Sequence, residues 1–105
     1  MEAGKLRHRV QVEERLEEQD ATGQEITTWR KVGQRWASIE ALTGREFIEA
    51  QALASDVTCR VRMRYLADLT PGHRLVAGER VLEIIHVIDR GGRRAEQELL
   101  CKEVV

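Results

Sequence analysis

At 105 residues the chain is sized for one domain with a modest core, and 17 basic against 18 acidic side chains leave a formal net charge of −1. That balance excludes the salt-sensitive, charge-driven binding along nucleic acid typical of a strongly basic domain, so any contact with DNA must come from local arrangement. Aromatic residues are 4% of a chain that is 33% charged, so the core rests on Val, Ile, Leu, Ala and the two tryptophans. No run approaches the ~20 apolar residues of a membrane span, and the N-terminus carries no apolar signal region; no membrane partner is expected.

In chain order, Leu6, His8, Val10 and Val12 alternate with Arg7, Arg9, Gln11 and Glu13, the period of a first strand. Residues 13–25 are polar, contain Gly23, and read as a long hairpin connection or a mobile loop. Residues 26–39 form a long strand, bent or bulged near Gly33. Thr43 lies three residues before Glu46, the spacing of a capping box, and predicts a short helix over 44–54 with Phe47, Ala50 and Ala54 on one face.

The cleanest strand follows: Val57, Cys59, Val61, Met63 and Tyr65 point one way, and Thr58, Arg60, Arg62 and Arg64 the other. Pro71-Gly72 marks a turn, 73–77 a short strand, and 80–89 the most apolar segment, before Gly91-Gly92 turns the chain into a last strand over 94–105. About six strands and one short helix make a mainly β domain, a small antiparallel β-barrel or sandwich.

No cofactor, metal site or catalysis is expected. Cys59 and Cys101 sit at apolar phases and read as buried thiols rather than a disulfide. His8, His73 and His86 are scattered, without metal-ligand spacing. No Ser, Cys or Thr is coupled to a base by a motif, and Gly91-Gly92 lacks the Lys-Ser/Thr and helix of a phosphate-binding loop.

Several segments share a resemblance. Ala3-Gly4-Lys5-Leu6-Arg7-His8-Arg9-Val10, then Asp20-Ala21-Thr22-Gly23 leading to Trp29, Trp36-Ala37 through Gly44-Arg45-Glu46, and the Arg-rich strand before Asp68 and Arg74 lie in an order and spacing similar to the head–tail joining (head-closure) proteins of long-tailed bacteriophages and prophages. The resemblance implies a small β-barrel in one domain and a structural role in the virion, built in the host cytoplasm. Copies would form a six- or twelve-fold ring that closes the portal exit, retains packaged DNA and presents a surface to the tail. Expected partners are portal or adaptor ring proteins, tail-tube or tail-terminator proteins, further copies of the chain, and double-stranded DNA held without sequence preference. A tail-terminator or tail-completion role is the alternative. An OB-like nucleic-acid module is disfavoured, because stacking platforms need more aromatics than this chain carries.

Three groups are candidates for that work. Arg60, Arg62 and Arg64 set guanidinium groups about 7 Å apart on one strand face, suited to phosphates of a DNA channel or to carboxylates such as Glu83, Glu96 and Glu98 across the sheet. Leu16, Glu17, Glu18 and Asp20 belong to the segment expected to dock or gate. Trp29 and Trp36, with Leu100 and Val104 on a C-terminal strand read as a sheet edge, are candidates for the subunit interface; a buried core place is the alternative for each.

Overall fold

A computed structural model describes residues 8–53, 56–89 and 96–104. The expected N-terminal motif at residues 3–7, Ala54 and the Gly91-Gly92 turn lie outside these residues. The described chain runs β1 (His8–Gln19), β2 (Glu25–Ala41), α1 (Gly44–Leu53), β3 (Cys59–Arg64), β4 (Arg74–Ala77), β5 (Arg80–Asp89) and β6 (Glu96–Val104). The strands pair antiparallel in the order β1-β2-β3-β6-β5-β4, and β4 returns to β1 through Gln11–Val76, Val12–Leu75 and Glu13–Arg74, closing a barrel.

Alternation explains the closure. Val10 and Val12 of β1, Val61 and Met63 of β3, Leu75 of β4 and Leu82 of β5 are fully buried inside the barrel, while intervening residues face out. A second cluster lies outside the wall, where Ala50 of α1 packs with Leu42, Val57 and Leu100, flanked by Ile85 and Ile88. The helix therefore covers one side of the barrel. The expected cap is replaced by a tether: the Glu46 carboxylate lies 3.4 Å from Arg60 of β3, and Gln51 Nε2 donates to Val57 O at 2.8 Å.

Two expectations are corrected. Residues 13–19 are strand, not loop: β1 and β2 stay paired from Glu13–Lys31 to Gln19–Glu25, so the supposed loop is a β-ribbon. Its turn is short. Gly23 N donates to Asp20 O at 3.0 Å and Asp20 N to Gln24 O at 2.9 Å, with Gly23 at φ 84°; this three-residue loop needs a left-handed residue that glycine supplies without steric cost. The second correction concerns β6, which pairs with β3 on one side and β5 on the other and offers no edge.

The bend expected near Gly33 is a bulge. Val12 opposes Gly33 but Glu13 opposes Lys31, leaving Val32 as the extra residue. A Cβ at Gly33 would stand 3.2 Å from both Leu66 Cδ atoms. Gly33→Ala is expected to be tolerated within about 1 kcal/mol, because a leucine tip can shift, whereas Gly33→Val should cost about 1–3 kcal/mol by overpacking; denaturant melts of the two variants check the difference.

The two thiols are buried and unbridged, as their apolar phases suggested, and Cys59 opposes Cys101 across β3 and β6. Burial pushes both upward, Cys101 well above the ordinary thiol value of 9.0, so neither is primed as a nucleophile.

Candidate interaction surfaces

The arginines of β3 do face outward together, but they are not equivalent. Arg60, with a side chain 18% exposed, lies 2.9 Å from Glu40, 3.4 Å from Glu46 and 3.8 Å from Glu98. Arg62 Nε lies 3.4 Å from the same Glu98. Glu40 from β2, Glu98 from β6 and Glu46 from α1 thus converge on one guanidinium, whose charge is held chiefly by the Glu40 hydrogen bond. Arg64 alone of the three is exposed and, among the described residues, without an ion pair. Of the two readings open for these arginines, pairing with carboxylates describes Arg60 and Arg62, while Arg64 has no ion pair among the described residues. Of the carboxylates expected across the sheet, Glu98 takes this part; Glu40 and Glu46 were missed, although register and helix placement bring them in.

The ribbon carries Leu16, Glu17, Glu18 and Asp20 beyond the barrel. From Glu13 to Gln19 the six-residue rise spans about 20 Å. Cross-strand and neighbouring pairs hold it: Glu14 binds Arg30, Arg15 lies 2.8 Å from Glu17, and Leu16 opposes Thr28. Asp20 builds the turn, accepting through Oδ1 from Thr22 Oγ1 at 2.6 Å, Thr22 N at 2.9 Å and Gln24 N at 3.0 Å. Those bonds, the Thr22 hydroxyl first, hold its carboxyl below the ordinary 3.8.

A depressed carboxyl contributes order that is complete above the ordinary value and lost as pH falls through the folded one. Protection of the Thr22 and Gln24 amides, taken relative to the intrinsic exchange rate at each pH, should therefore fall as the carboxyl is protonated below that range, and Asp20→Ala should show the lower protection already at neutral pH. Hydrogen-exchange measurements at several pH values check both.

The two tryptophans part company. Trp29 is half-buried at the root of the ribbon under Arg74, whose Cζ stands 4.1 Å from the ring centroid, while Arg74 Nε binds Glu13 at 2.7 Å. Beside Trp29 lies a cavity of about 250 Å³ bordered by Arg15, His73 and Glu83. Trp36 is 49% exposed on the outer face of β2, with Arg9 Cζ 5.5 Å from its ring; sequence reading missed Arg9, which strand pairing supplies directly.

Of the C-terminal candidates, Val104 is 43% exposed, but Leu100 is buried beneath α1, so its place at an interface is corrected to a place in the protomer's core. The apolar phase of Leu100 was right; what the sequence concealed is that α1 covers that face. Near the end of β6, Arg80 grips Glu103 through two 2.9 Å bonds.

Among the described residues no group of His, Cys, Asp and Glu is placed to hold a metal ion, and no helix is long and apolar enough to cross a membrane. What the surface presents is a projecting acidic ribbon and an exposed tryptophan beside Arg9.

Known proteins share this construction. The chain is 30% identical to head completion protein gp7 of Enterobacteria phage HK97, with 97% of this chain and 96% of that protein covered. The solution structure of protein SF1141 from Shigella flexneri 2a superposes with a TM-score of 0.76 at 30% identity, over 98% of this chain and 96% of that one. A chain from the virion of a native gene transfer agent particle has the same fold, with a TM-score of 0.59 at 20% identity over 95% and 96% of the two chains. The model of the phage head completion protein family matches residues 1–104. A family match over all but the last residue, together with a full-length relative, makes this chain a member of the phage head completion proteins, structural components of head–tail assembly.

Proposed function

We propose that copies of this protein form a ring at the head–tail connector, close the portal exit over packaged DNA, and provide the surface on which the tail assembles. The observation that carries this reading is the ribbon. It extends about 20 Å past the barrel, pairs there only with itself, and carries Ile26 exposed near its tip. A closed barrel has no free strand edge for pairing with another chain, so assembly runs through side chains and through the ribbon. Ring closure by rotation needs two different, complementary patches on each copy.

The partners in this reading are the portal or adaptor ring on the head side and tail-tube or tail-terminator proteins on the other. It is a non-enzymatic role, carried out in the virion after assembly in the host cytoplasm. Arg64 is the residue of β3 left to meet phosphates; Arg60 and Arg62 serve the fold.

DNA-filled heads from a mutant lacking this gene supply the test. Added protein should stop DNA loss and make the heads competent to accept tails. Binding to tails but not to heads would overturn the reading and assign the protein to the tail end of the joint.

A further inference from the structure

Two surface patches are built alike, each an apolar row beside a row of charge. The first lies on the barrel wall. Val76 opposes Val81 across β4 and β5, and Val81 opposes Val104 across β5 and β6. The chain neighbours Leu75 and Leu82 fill the core, so alternation turns the three valines outward; Val104 is 43% exposed. In the next outward row Arg74 opposes Glu83, and Glu83 opposes Lys102. Arg74 is bound to Glu13, whereas Glu83 and Lys102 are exposed. The second patch is the outer face of α1. Ala50 seats the helix on its own wall, and at about 100° per residue Ile48 and Ala52 point the opposite way. Ile48 is 70% exposed. Beside these two, Arg45 and Glu49 form an exposed ion pair at 3.4 Å, one turn apart.

These patches cannot meet within one protomer. Glu46 binds Arg60 and Gln51 donates to Val57 O, which holds α1 against its own wall with the Ile48 face turned away. The valines share β6 with Leu100, which the helix covers, but Val104 stands four residues, or about 13 Å, further along the strand. The outer face of α1 can reach a valine row only on another molecule.

We propose that the outer face of α1 on one copy packs on the valine row of the next. Ile48 and Ala52 lie against Val76, Val81 and Val104, with Arg45 on Glu83 and Glu49 on Lys102. This inference rests on the ring reading and names the two different patches that reading requires. The match is one of spacing as well as sign. Helix side chains three apart stand about 5–6 Å from each other, which sets the apolar and charged ridges of α1 nearly as far apart as the ~7 Å between outward rows of the wall. Each charge pair presents one cation and one anion, so the complementary order fixes which way the helix lies.

Charge exchange tests it. One variant, Arg45→Glu/Glu49→Arg, reverses the helix pair, a second, Glu83→Lys/Lys102→Glu, reverses the wall pair, and a third carries all four changes. Each leaves the net charge unchanged and keeps opposite charges side by side within the protomer; thermal melts confirm that each is folded. Added to DNA-filled heads lacking this protein, each double variant should lose about tenfold in DNA retention, because like charges then meet across the contact. The fourfold variant should recover most of that loss, its pairing restored with signs reversed. Ile48→Asp, at an exposed position, should give a similar loss with its melting temperature unchanged. Full activity of either double variant or of Ile48→Asp, or no recovery in the fourfold variant, overturns the inference. Wild-type protein is the control: its failure to rescue heads would sink the ring reading itself, a result distinct from failure of the exchange.

Discussion

Replacing residues 17–27 with Asn-Gly, so that the ribbon closes at the Leu16–Thr28 pair, is expected to leave a folded barrel that cannot rescue DNA-filled heads. The deleted residues pair only with each other beyond the barrel, and none belongs to either apolar cluster. The Arg15–Trp29 pair, which roots the ribbon under Arg74, is retained. Asn-Gly suits a two-residue turn whose twist matches the flanking strands. Stability should therefore change by no more than about 1 kcal/mol, the scale of surface changes away from packed features. Rescue should fall to background, because the change removes Glu17, Glu18, Asp20, Glu25 and Ile26 together. Thermal melting and the head-rescue assay, run on the same preparation, separate the two effects. A lowered melting point with rescue intact would show that the tip belongs to the fold and not to docking.

Arg60→Glu should do the opposite and damage the fold. The guanidinium is the shared counter-ion of Glu40, Glu46 and Glu98, and reversal would crowd four carboxylates into a half-buried site. Removing one partner of a buried ion pair costs about 3–5 kcal/mol; partial exposure of these carboxylates puts the expected loss near the lower end. For a domain of this size that lowers the melting temperature by roughly 10–20 °C. The same change should loosen α1, whose Glu46 is tied to the wall through Arg60. Arg64→Glu, two pleat repeats further along β3, is expected to leave the melting temperature within a few degrees. Paired melts of the two variants decide whether the arginines of this strand act alike. Equal effects would mean that the Arg60 cluster carries no special part of the stability.

The strand pattern was legible because alternation reports which face is buried, and the barrel reuses that rule in all six strands. Val57, Cys59, Val61, Met63 and Tyr65 were assigned to one face by period alone; Cys59, Val61 and Met63 are buried in the barrel core, whereas Val57, before the strand begins, is buried outside the wall with α1, and Tyr65, after it ends, is half-buried. The ribbon was not legible, because its two faces meet water. Without a buried face its residues are polar on both sides, and composition then resembles that of a loop; pairing through Glu14–Arg30 and Arg15–Trp29 is visible only once the register is known.

Leu100 shows the complementary difficulty. Its apolar character announced a buried or docking face, but only the placement of α1 determines that the covering element comes from the same chain. Arg60, likewise, reads the same as Arg64 along the strand.

By itself the sequence determined the class of fold, the position of the helix, the bulge near Gly33, the inward set of β3 and the resemblance to head–tail joining proteins. All of these depend on local spacing, which survives in one dimension. The tertiary structure alone decided that the sheet closes, that β6 has neighbours on both sides, and that Arg60 is neutralised while Arg64 has no ion pair among the described residues. It also decided that Trp36 stands exposed beside Arg9. Those outcomes depend on which strands lie side by side, and sequence period is blind to neighbours brought together across dozens of residues.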